Sequence, residues 1–179
     1  MFSGDNLKEL IKDIVTRKCN YKLAHVQEFD QEVLSFDKQV TGLNREECLK
    51  CWLRTGASDR IIVQDSITNK IRGYGMVTYK LNNDEIWIGP IVAEDLQIEG
   101  VIILFELLNL IKKDIGDSKT EKFTEIVVFK ESGLEKILSL VGFKPVLNIN
   151  LMTNQALPQS WHPTFTNIFA LMAPGYSPF

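Results

Sequence analysis

The spacing of apolar and polar positions changes several times along these 179 residues. The clearest run of signals lies between Ile61 and Ile111. Residues 61–64, 73–79 and 85–93 have the β-branched and aromatic content of strands. Polar turn residues at 65–70 and 81–84 separate them, as two hairpin connections would. The third strand then passes through Glu94 and Asp95 into a long apolar stretch. Its period predicts a helix from Leu96 to about Lys113, with Glu99, Glu106, Asn109 and Lys113 as a narrow wet stripe. A helix entered straight from a strand starts with backbone N–H groups that lack intrahelical partners, a natural place for phosphates.

The flanking segments complete an order. Leu7, Leu10, Ile11, Ile14 and Val15 predict a helix over 5–18, capped by Asp5 or Asn6. Residues 21–26 read as a strand. Asn44 followed by Glu47 forms a capping pair ahead of an apolar face of Cys48, Leu49, Trp52 and Leu53. Beyond the long helix come a strand at 124–129 and a short helix at 133–141 stopped by Gly142. Two more strands, at 143–151 and 166–172, flank a proline-rich loop at 157–163. The chain therefore reads as a terminal helix (1–20) followed by one α+β domain (21–179) with a mixed sheet, without repeats or linkers.

Composition narrows the partners. A net charge of −3 gives no footprint for nucleic acid. The amino terminus is charged where a signal peptide would be apolar, and the run 101–111 is too short to cross a bilayer. Three cysteines fit a reducing compartment better than a disulfide framework. An intracellular, cytoplasmic protein with neither nucleic acid nor membrane as partner is expected. Residues 145–179 carry no Asp, Glu, Lys or Arg. Such a stretch suits core strands, a cover over a ligand, or a homodimer interface.

Some apparent motifs carry little. Cys48 and Cys51 have the spacing of a metal pair, but only Cys19, His25 and His162 remain to complete a zinc site, so no metal is expected. Within a helix beside Trp52, the two cysteines read as packing residues. The lone Gly73-Tyr-Gly is a strand feature and not a phosphate loop.

Three blocks carry a resemblance: Phe36-Asp-Lys-Gln-Val-Thr-Gly-Leu-Asn-Arg, Ile86-Trp-Ile-Gly-Pro-Ile-Val-Ala-Glu-Asp and Ile168-Phe-Ala-Leu-Met-Ala-Pro-Gly. Together with the element order, they resemble the carboxy-terminal GNAT-like domain of YitH-type acetyltransferases, from about residue 33 onward. The resemblance implies the GNAT fold, a mostly antiparallel sheet of six to seven strands with helices on both faces. It also implies acetyl-coenzyme A as co-substrate and a small amine or amino-acid-like molecule as acceptor. The fourth strand would splay from the fifth at Pro90 and free the backbone of Ile91, Val92 and Ala93 for pantetheine. Gln97, Gly100 and Val101 would open the helix beneath the pyrophosphate.

The same comparison exposes departures. Ile102 stands where a small residue normally lets phosphate approach, and Glu94, Asp95 and Glu99 surround that position. Leu138 occupies the place of the usual proton-donating tyrosine, four residues before Gly142-Phe143. Glu85 and Asp37 are the candidate general bases, since the amine must lose a proton to react. Tyr74 and Tyr79 are candidates for the acceptor site. Two readings follow: an N-acetyltransferase, or a GNAT-shaped binding module without catalysis.

Overall fold

The computed structural model describes residue 16 and residues 20–54, 57–79, 85–115, 123–126, 135–140, 142–144 and 168–170. The expected helix over 5–18 and strand over 143–151 lie almost wholly outside these residues. The elements follow the expected order: β1 (Tyr21–Val26), α1 (Gln31–Thr41), α2 (Glu46–Arg54), β2 (Ala57–Asp65), β3 (Ile71–Tyr79) and β4 (Glu85–Ala93). A π-helical turn, Leu96–Gly100, leads into α3 (Val101–Ile115), and then come β5 (Phe123–Ile126), α4 (Glu135–Leu140) and β6 (Ile168–Ala170).

Local chemistry sets the boundaries. The Asp30 carboxylate accepts from the amides of Glu32 and Val33, both at 3.0 Å, and so opens α1. Gly42, at φ 70°, closes it in the left-handed conformation that glycine adopts without steric cost. Asp65 folds the β2–β3 turn by accepting from the Ile67 and Thr68 amides and from the Thr68 hydroxyl.

β1 through β4 form an antiparallel meander. Alternation along its strands produces two cores. Ile61, Val63, Val77, Ile86, Ile88, Ile91 and Ala93 face α3, while Ile62, Tyr74, Met76 and Val92 face α1 and α2. The α3 side is close-packed. A Cβ on Gly73 would stand 2.9 Å from Ile103 Cδ1, and one on Gly75 would run into Ile103 Cγ2. Glycine is what lets the helix approach the sheet here.

The meander is interrupted once where it matters. Gly75 pairs with Ile91 and Val77 with Ile88, so a single β3 residue faces both Gly89 and Pro90 of β4. This bulge lies at the Gly-Pro step singled out in the sequence. β3 holds one edge of β4 from Ile86 to Ala93. The other edge is divided. β5 runs parallel to it over Glu85–Ile88, and β6 meets it antiparallel at Ile91 and Val92.

Candidate active site

The end of β4 and the start of α3 form a closed polar knot. The amide of Glu94 donates to the Arg72 carbonyl at 2.9 Å, which ties the exit of β4 to β3. Asp95 then caps the helix twice over. Its carboxylate accepts from the amides of Gln97 (2.9 Å) and Ile98 (3.3 Å). Its carbonyl accepts from Ile98 (3.3 Å), Glu99 (2.9 Å) and Gly100 (3.3 Å). Glu99 reaches back to accept from the Asp95 amide at 2.8 Å, completing a reciprocal cap. The chain itself thus supplies acceptors for the four amides from Gln97 to Gly100.

Glu99 is 1 % exposed, and burial raises its pKa against the opposing hydrogen bonds from Tyr21 and from the backbone. The Tyr21 hydroxyl donates to it at 2.9 Å. Burial first, and Glu99 second, push that phenol up to about 12. Arg72 supplies the local cation, 2.5 Å from Glu94 and 3.8 Å from Glu99. Ile102 turns its side chain into the α3 core at 2 % exposure, so it does not crowd the helix start. Gln97 is exposed, and Gly100 and Val101 are buried.

The expectation of free backbone at Ile91, Val92 and Ala93 meets a paired edge. β6 lies along Ile91 and Val92, and all three side chains are 0 % exposed. Ile91 and Ala93 join the α3 core and Val92 the opposite one. The bulge at Gly89 and Pro90 is present, yet the β4 edge just beyond it is taken by another strand.

A second polar group lies on the α1 and α2 face. Asp37, 1 % exposed, is ion-paired with Arg45, whose Nε donates to Oδ2 at 3.1 Å and whose Nη2 donates to Oδ1. The Tyr74 hydroxyl donates to the same Oδ1 at 2.5 Å and accepts from Arg45 Nη2 at 3.1 Å. Burial foremost raises the Tyr74 pKa well above its ordinary value, so the phenol remains a donor. Phe29 and Phe36 meet the Tyr74 ring edge-on, with centroids 4.8 and 6.4 Å away. Both Asp37 oxygens are therefore committed to internal partners.

The structure does not bring the two candidate tyrosines together. Tyr74 faces α1, whereas Tyr79 packs against the α3 core and donates to Asp59 at 3.1 Å. Glu85 opens β4 opposite Phe123 of β5, and its side chain lies outside the described residues. Leu138 is 5 % exposed and belongs to the α3 core. Arg45, Arg72 and Tyr21 are new to the site. Their partners stand 8 to 78 residues away in sequence where hydrogen bonds join them, which no local pattern announces.

The sequence profile of the acetyltransferase (GNAT) domain matches residues 33–166. The chain belongs to the GNAT acetyltransferase family. Solved structures bear out the GNAT fold. A Pyrococcus furiosus protein described as an acetyl transferase superposes with TM-score 0.58 at 13% identity, covering 74% of this chain and 99% of that one. An acetyltransferase of Trypanosoma brucei gives 0.52 at 12% identity, with the same coverage. No curated protein matches the chain. Among the described residues, no helix of this GNAT domain is long and apolar enough to cross a membrane.

Proposed function

We propose that this GNAT domain transfers the acetyl group of acetyl-coenzyme A to the nitrogen of a small amine or amino-acid-like acceptor. The observation that carries the reading is the bulge at Gly89 and Pro90, just past the described β4–β5 pairing, which runs from Glu85 to Ile88. A thioester placed there meets the acceptor at the point of divergence. The Ile-Gly-Pro block that forms the bulge is also the strongest part of the likeness to YitH-type domains. The amine nitrogen attacks the thioester carbonyl, a C–N bond forms, and the C–S bond breaks to release the coenzyme A thiolate. Leu138 has no proton to give, so solvent protonates the sulfur. Glu85 at the start of β4 is the base that takes the amine proton. Asp37, with its oxygens engaged by Arg45 and Tyr74, holds α1 against β3 as a positioning residue.

A second reading, a GNAT-shaped binding module without catalysis, draws on Leu138 and on the self-capped helix start. Release of coenzyme A thiol at millimolar acetyl-coenzyme A, followed across a panel of amines, separates the two. Amine-dependent release that is lost in Glu85→Gln supports transfer. Release no faster with any amine than without would overturn it and leave the module.

A further inference from the structure

β6 is a strand of three residues, Ile168–Ala170, with register partners at Ile91 and Val92 and an irregularity between them. It runs along the β4 edge beyond the described β5 pairing, and it lies against the Leu96–Gly100 turn. Next to it, Asp95 and Glu99 close the polar groups of the helix start. A pantetheine arm, built from amides, binds to a strand edge as an added strand does, through backbone hydrogen bonds. One stretch of edge pairs with one partner at a time. A ligand lying along Ile91 and Val92 therefore meets an edge the chain has already filled.

We propose that β6 is a built-in competitor for the acetyl-coenzyme A edge: the described state is self-closed, and the ligand binds by displacing residues 168–170 from Ile91 and Val92. The inference rests on the acetyl-coenzyme A reading above and adds regulation of the same site. The features of β6 suit the role. Its described pairing is irregular, and the 145–179 stretch that contains it carries no Asp, Glu, Lys or Arg. A site that must first be vacated binds with its intrinsic affinity reduced by the fraction of time it stands open.

The test compares acetyl-coenzyme A affinity, by calorimetry, for the full chain, for Ala170→Pro and for a chain ending at residue 167. Proline removes a ladder N–H and disfavours a paired strand. Competition predicts affinity increased by about tenfold or more in both variants, each still unfolding cooperatively. Equal or weaker binding in the variants overturns the competition while leaving the ligand assignment standing. No binding in any of the three overturns the ligand assignment and the competition with it. Amide exchange on the unaltered chain gives an independent answer if the variants fold poorly. Added acetyl-coenzyme A should unprotect residues 168–170 while Ile91 and Val92 stay protected. Protection of 168–170 that survives saturating ligand overturns the proposal.

Discussion

At the scale of single residues, the Asp37, Arg45 and Tyr74 group shows how a buried charge is made tolerable. Both carboxylate oxygens and the phenol have partners, and Phe29 and Phe36 pack edge-on against the Tyr74 ring. Removing one member strands the others. Arg45→Met should cost about 3–5 kcal/mol, because it leaves a carboxylate buried without its cation. Tyr74→Phe deletes one hydrogen bond and should cost about 1–3 kcal/mol. Urea denaturation of both variants checks the order, Arg45→Met falling below Tyr74→Phe. Burial shifts the Glu99 carboxyl upward, the opposite of what an ion pair does to a carboxylate. Its pKa is raised in the folded protein, so the folded state holds its proton more tightly than the unfolded chain does. Its contribution to stability is therefore full below its ordinary value of 4.5 and is lost as pH rises through the raised value. Thermal melts should show wild type gaining on Glu99→Gln as the solution is acidified across that window.

Among elements, the junction of β4 with α3 governs both stability and access. Asp95→Ala removes an N-cap and should destabilise the domain by about 0.5–2 kcal/mol. The same change leaves the Gln97 amide without its carboxylate acceptor and lifts a negative charge from the helix start, so acetyl-coenzyme A should bind more tightly despite the lower melting temperature. Gly75→Ala tests the packing of β3 against α3, where Ile103 leaves no room for a methyl group. An overpacking cost of about 1–3 kcal/mol is expected, read from the denaturation midpoint. The elements themselves were legible because period-two and period-3.6 patterns arise from burial on one side, and residues 61–113 show both plainly. The capping acids were also visible as ordinary caps. Two things were not. Period two identifies residues 168–170 as a strand but does not say whose edge they join. The spacing from Asp37 to Tyr74 spans 37 residues and belongs to no repeat, so only the folded sheet reveals it. Ile102 went the other way: its bulk suggested a blocked phosphate site, yet helical geometry turns it into the core.

For the molecule as a whole, the sheet separates two cores that answer to different tasks. The α3 side is apolar and tightly packed, with Leu138 among its members. The α1 and α2 side carries the buried ion pair. The absence of charge over residues 145–179 gains a further meaning once β6 is seen as detachable. Soluble proteins keep apolar strands apart from one another in part with flanking lysines and glutamates, and a strand without such charged neighbours depends more on staying paired. Whatever dislodges β6 therefore turns an intramolecular hydrogen-bonding segment into a sticky one. Light scattering of Ala170→Pro should show self-association at concentrations where the unaltered chain stays dispersed, and the solubility of this domain becomes a reporter of whether its last described strand is docked.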